Sequence, residues 1–119
     1  MSELALVIED DEDLATIFSE ALQAANFEVE TLRDGQTAQK RLAEIEPHVI
    51  LLDMHLPSVF GGDLLTQIRS DERLKHAVVV VATADARVGE AYSEVADFVL
   101  IKPIAFTQLR DLTSRLHRI

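Results

Sequence analysis

Cysteine and tryptophan are absent from this chain, only three prolines and four glycines interrupt it, and aromatic side chains make up 5% of its 119 residues. Without cysteine there are no disulfides, no thiolate metal sites and no thiol catalysis. So little Pro and Gly leaves no room for a collagen-like repeat or a low-complexity tail. Basic side chains are also scarce, 11 against 21 acidic ones for a formal net charge of −10, and they form no cluster. That argues against a nucleic-acid surface, which is made mainly of Lys and Arg. Long apolar runs are missing as well, and Met1-Ser2-Glu3 opens the chain without a basic segment. Neither a signal peptide nor a membrane span is expected, and a cytoplasmic location is the default. What remains is a 48% hydrophobic, 27% charged sequence of a size suited to one domain over residues 1–119.

Short apolar runs alternate with amphipathic stretches along the whole length. Leu4-Ala5-Leu6-Val7-Ile8, Val49-Ile50-Leu51-Leu52-Asp53, Val78-Val79-Val80-Val81-Ala82 and Phe98-Val99-Leu100-Ile101 are apolar on both faces and mostly β-branched or leucine. Runs of that kind are expected as parallel strands covered by helices on both sides. Residues 27–32, with Phe27, Val29 and Thr31 alternating, form a weaker candidate suited to an edge. Between them, helical spacing appears in Leu14, Ile17, Phe18, Ala21, Leu22 and Ala25 behind a cap at Asp13, and over Gln36 to Ile45 before Pro47. It recurs after Gly61-Gly62, over Arg87 to Glu94, and from Phe106 to Leu116. Five β-α units with right-handed crossovers predict a five-stranded parallel sheet in a three-layer αβα sandwich. Ligands of such sheets bind beyond the carboxyl ends of the strands.

Polar residues gather at those ends. Glu9-Asp10-Asp11 follows the first run and Asp53 ends the third. Each acid alone could be a strand terminator or a helix cap, but carboxylates converging on one sheet edge repel one another, and a hard divalent ion such as Mg²⁺ relieves that repulsion. Thr83 follows the fourth run and Lys102 the fifth, adding a hydroxyl donor and an ammonium that can pair with Asp53 or with a phosphoryl oxygen. Such a set can carry a phosphoryl group as an acyl phosphate.

With these residues in order, the sequence resembles the receiver domain of bacterial two-component response regulators over essentially its full length. The resemblance implies a flavodoxin-like (βα)5 fold, and a phosphoacceptor domain rather than an enzyme, with slow self-dephosphorylation at most. It matches Asp53 to the phosphoacceptor, Asp10 and Asp11 to the acidic pair that helps bind Mg²⁺, and the backbone carbonyl of His55 to a further ligand. Asp53-Met54-His55-Leu56-Pro57 followed by Gly61, then Thr83-Ala84 and Lys102-Pro103, complete the match, with the Lys102-Pro103 bond usually cis in the family. Implied partners are a histidine kinase or histidine phosphotransfer protein as donor, and an output domain or downstream protein as receiver of the signal. A homodimer is a further option. No nucleic acid or membrane is expected to bind this domain itself. No output segment lies in these residues, so both a stand-alone receiver and a domain of a longer regulator fit.

Two departures stand out. The family's aromatic switch position, three residues before Lys102, holds Val99, with Phe98 one residue earlier and expected as ordinary core beneath a helix. The stretch from Thr83 to Lys102 is also shorter than usual, through a clipped loop or a shortened fourth helix. Thr83, Phe98, Val99 and Pro103 are thus the expected switch and partner surface, and the loop pair Val59 and Phe60 could also meet a partner. The side chain of His55 is expected in solvent, with water near the acceptor as its alternative target, and His48, His76 and His117 have no ligand company. Two other readings remain: a phosphorylation-independent pseudo-receiver, favoured by Val99, and a haloacid dehalogenase-type phosphohydrolase. The latter needs an acid two residues after the nucleophile, where His55 stands, and a cap region that is missing.

Overall fold

The structure is a computed structural model that describes residues 3–57 and 59–117. Its strands are β1 (Leu4–Ile8), β2 (Glu28–Leu32), β3 (Val49–Asp53), β4 (Val78–Thr83) and β5 (Phe98–Ile101). The helices that follow them are α1 (Glu12–Ala24), α2 (Gly35–Leu42), α3 (Gly61–Ser70), α4 (Ala86–Tyr92) and α5 (Phe106–Thr113). All strand pairs are parallel, in the order β2-β1-β3-β4-β5, so the fold class and the edge position of β2 are as the sequence predicts.

Strand periodicity divides the core into two layers. Leu6, Ile8, Ile50, Leu52, Val79 and Val81 face α2 and α3, where Ala38, Leu42, Leu64, Leu65 and Ile68 close over them. Their neighbours Ala5, Val7, Val49, Leu51, Val80 and Ala82 face α1 and α5, against Phe18, Ala21, Leu22 and Leu109. Burial of each large side chain here contributes about 1.5–3 kcal/mol. All five residues of β3 are buried, and its last one is a carboxylate. Only the chemistry of a site accounts for an acid in that position.

Helix boundaries differ from the sequence reading for local reasons. The cap of α1 is Asp11, not Asp13: its carboxylate accepts from the Leu14 amide at 3.0 Å, and Asp13 falls inside the first turn. Helix α2 begins at Gly35 behind the cap Asp34 and stops at Leu42, short of Ile45. Helix α4 has seven residues and starts behind its cap Asp85, two residues after the end of β4, so both the connection and the helix between Thr83 and Lys102 are short. Gly89 lets that helix lie close on the sheet: a Cβ there would stand 2.7 Å from Val99 Cγ1 and 3.2 Å from Ile101 Cδ1.

At the opposite end of the sheet, Arg69 of α3 ties several segments together. Its guanidinium donates to the carbonyls of Val95 (2.9 Å), Lys75 (3.0 Å) and Ala77 (2.8 Å) and to Asp97 Oδ2 (2.8 Å), and the same Asp97 oxygen accepts from the Val79 amide. Nearby, His117 hydrogen-bonds the Ala25 carbonyl (2.6 Å) and Glu3 Oε1 (2.7 Å), and its ring stacks on Phe27 with centroids 4.1 Å apart. His48 also lies within 3.6 Å of Glu3 and hydrogen-bonds the Leu116 carbonyl.

The Ala25 carbonyl, then Glu3, hold the pKa of His117 above its ordinary value of about 6.5. The folded chain therefore favours the imidazolium. Its stabilisation is complete below the unfolded value and is lost as pH rises through the raised one. The difference in thermal midpoint between wild type and His117→Phe, which keeps the stacking, is expected to shrink as pH goes from about 6 to about 8. A difference that does not change with pH would contradict this assignment.

Candidate functional site

Register brings the site together. Ile8 pairs with Leu52, so the next residues, Glu9 and Asp53, emerge side by side where the strand order reverses between β1 and β3. The Glu9 amide still bonds the Leu32 carbonyl at 3.0 Å, and the Met54 amide bonds the Ala82 carbonyl at 3.1 Å. Both acids thus sit on backbone held by the sheet, Glu9 1% and Asp53 3% exposed. Asp10 lies in the exposed loop beyond, its carbonyl gripped by Arg33 through Nε at 3.2 Å and Nη2 at 2.8 Å.

Carboxylate oxygens of Glu9, Asp10 and Asp53 all lie within 4.8 Å of one another. Lys102, whose side chain is 18% exposed, reaches into the cluster with Nζ 2.8 Å from Glu9 Oε1 and 3.4 Å from Asp53 Oδ1. Its backbone is placed by a bond from its amide to the Thr83 carbonyl (2.8 Å), and the following Lys102-Pro103 peptide is cis, as the resemblance implies. Burial, reinforced by Asp53, pushes the Glu9 carboxyl up to about 7 although the Lys102 hydrogen bond pulls it down. Burial also works against the Lys102 ammonium, but the bond to Glu9 and the charge of Asp53 outweigh it and raise its pKa.

One ammonium among three carboxylates leaves the site short of positive charge. Hard oxygen donors, two of them buried and the third at the mouth, suit a Mg²⁺ ion, and its charge would supply what Lys102 alone does not. The residues present fit the metal. Asp11 is a correction to the expected ligand pair. Its carboxylate is committed to the α1 amide of Leu14, and only its backbone amide turns to the site, 3.3 Å from Glu9 Oε2. Glu9 takes the place expected of it.

The hydroxyl and the loop complete the arrangement. Thr83 is fully buried at the end of β4, and its Oγ1 lies 3.0 Å from His55 Nε2 and 3.1 Å from the Asp85 amide, which donates to it. The His55 amide donates to Asp53 Oδ1 at 3.1 Å. His55 is exposed, as expected of a loop residue, and its ring nitrogen nevertheless reaches inward to the buried Thr83 hydroxyl. Gly61 opens α3 hard against this loop, since a Cβ there would stand 2.8 Å from Met54 Cα. Phe98 is 37% exposed instead of packed beneath a helix, while Val99 joins the core against α4. Phe60 is 55% exposed and meets Tyr92 of α4 edge-on at 6.2 Å.

A sequence model of the response regulator receiver domain family matches residues 5–114. The chain belongs to that family. This receiver is 36% identical over 118 residues to the probable methanogenesis regulatory protein FilR2 of Methanothrix harundinacea, covering 90% of this chain and 76% of that protein. It is 31% identical over 90 residues to the polar-differentiation response regulator DivK of Brucella ovis, covering 76% and 73% of the two chains. Among solved structures, the bacteriophytochrome response regulator RtBRR superposes with a TM-score of 0.83 at 30% identity, covering all of this chain and 80% of that one. Receiver domains are phosphoacceptor switches of two-component systems that work with histidine kinases or phosphotransfer proteins and with output domains, not enzymes in the usual sense. The acidic cluster with Thr83 and Lys102 is the Mg²⁺-dependent aspartate phosphorylation site of such a switch. Among the described residues, no helix is long and apolar enough to cross a membrane.

Proposed function

We propose that Asp53 accepts a phosphoryl group from a phosphohistidine on a histidine kinase or histidine phosphotransfer protein, with Thr83 and Lys102 carrying the change to the surface. The observation that supports this best is the cluster itself: a buried carboxylate at a strand end, flanked by two acids and reached by one lysine. An Asp53 carboxylate oxygen forms the bond to phosphorus as the bond from phosphorus to the donor imidazole nitrogen breaks, and the imidazole leaves with a proton. Lys102 Nζ, already 3.4 Å from Asp53, is placed to pair with a phosphoryl oxygen, and Thr83 can donate its hydroxyl to another. Glu9, Asp10 and Asp53, with the carbonyl of His55, would hold Mg²⁺, whose charge would neutralise the phosphoryl oxygens. Thr83, Val99, Phe98 and Pro103 remain the proposed switch and partner surface, read by an output domain or downstream protein. In place of an aromatic rotor it offers Val99 beneath α4 and the exposed Phe98.

Metal removal tests the site. Incubation with acetyl phosphate and Mg²⁺ is expected to add one phosphoryl group by intact mass, and excess EDTA to suppress the gain. Equal uptake with and without EDTA would contradict the metal assignment. Failure to accept a phosphoryl group from acetyl phosphate and from the cognate kinase alike would favour the pseudo-receiver.

A further inference from the structure

The hydroxyl that should meet the phosphoryl group is engaged elsewhere. Thr83 Oγ1 is bonded to His55 Nε2 and the Asp85 backbone, and none of its hydrogen bonds goes to Asp53. A buried hydroxyl keeps a partner at all times, so leaving one set of bonds requires another to replace it. The His55 bond spans from the β3–α3 loop to the end of β4, and the backbone of His55 is itself tied to Asp53 Oδ1 at 3.1 Å. The same residue thus touches the acceptor through its amide and the switch hydroxyl through its ring. The methyl of Thr83 faces α4, close enough that a Cβ on Gly89 would lie 3.5 Å from it. Rotation of Thr83 to a rotamer that reaches Asp53 therefore breaks the His55 bond and changes the contact with α4 in one movement.

We infer that the His55 side chain is a latch: it holds the Thr83 hydroxyl away from the phosphoryl site, so that occupation of Asp53 must break the bond between Nε2 and Oγ1. The inference rests on the phosphoacceptor reading and adds a positioning residue to it. His55 acts through Thr83, and its ring stabilises the unphosphorylated arrangement. Removing it lowers the cost of turning Thr83 toward Asp53.

The test is a double-mutant cycle on the whole chain. Affinity for beryllium fluoride, a phosphoryl mimic, is measured at fixed Mg²⁺ from amide shifts in wild type, His55→Ala, Thr83→Val and the double variant. His55→Ala retains the backbone carbonyl and amide and is expected to bind roughly five-fold more tightly than wild type, the loss of one net hydrogen bond from the free state. His55→Gln, whose side-chain amide can donate through its nitrogen or accept through its oxygen in the place of Nε2, is expected to return to within about two-fold of wild type. In the Thr83→Val background, where there is no hydroxyl to hold, the alanine substitution is expected to change nothing. Wild type failing to bind the mimic at any concentration would overturn the phosphoacceptor reading and the latch together. Tight binding by wild type with an equal or weaker affinity in His55→Ala, or a gain that persists in the Thr83→Val background, would overturn the latch alone.

Discussion

Asp53→Asn is expected to take up no phosphoryl group. The substitution is nearly isosteric, and its amide oxygen can still accept from the His55 amide at 3.1 Å and from Lys102, so the loop and the sheet edge keep their positions. It lacks a carboxylate oxygen to form the acyl phosphate, and the amide is a far weaker nucleophile. It also removes the negative charge that helps push the Glu9 carboxyl up, so Glu9 becomes easier to ionise while the site loses its acceptor. Intact mass after incubation with acetyl phosphate and Mg²⁺ should show one added group in wild type and none in the variant. Acid-labile labelling of Asp53→Asn at the wild-type level would place the acceptor elsewhere.

Lys102→Ala should separate chemistry from signalling. The ammonium bridges Glu9 and Asp53, two of the least exposed acids in the fold, and no other cation touches them among the described residues. Losing a charge-assisted bond to a phosphoryl oxygen weakens binding of beryllium fluoride by roughly ten- to hundred-fold. The fold is expected to persist, because the raised pKa of Glu9 lets it take up a proton when its partner is gone. At saturating ligand the amide shifts should stay within the β1–α1 and β3–α3 loops instead of reaching α4 and β5. A wild-type pattern of shifts in the saturated variant would show that Lys102 does not carry the signal.

Much of the fold and of the site is legible in the sequence. Four apolar runs mark four strands: β1, β3 and β4 are buried on both faces and have no polar position to blur them, while β5 is legible by its apolar run although it is the other edge, with Phe98 and Ile101 exposed. Strand β2 was legible only through alternation, as suits an edge. The strand ends then named Asp53, Thr83 and Lys102. Glu9 was visible in the acidic triplet but was not assigned, since three consecutive acids look alike until pairing is known. The signal was there: the runs ending at Ile8 and Leu52 align by their last apolar residues, which puts Glu9 and not Asp11 beside Asp53. The sequence pattern points to Asp13 as the cap of α1, and the extended backbone of Asp11 with its bond from the Leu14 amide moves the cap two residues earlier. The exposure of Phe98 and the bond between His55 and Thr83 depend on packing and on contacts far apart in sequence. No local pattern encodes them.

The Arg69 knot gives α4 a mechanical asymmetry. Val95 and Asp97, just beyond the helix, are fastened to α3 and to the start of β4, while its first residue follows Asp85 in the segment bonded to Thr83. A body pinned at one end and pushed at the other moves as a lever. Displacement that begins at Thr83 should be greatest at Ala86 and fade toward Ser93, so the portion of α4 closest to the acceptor is where a listening protein gains the most by binding.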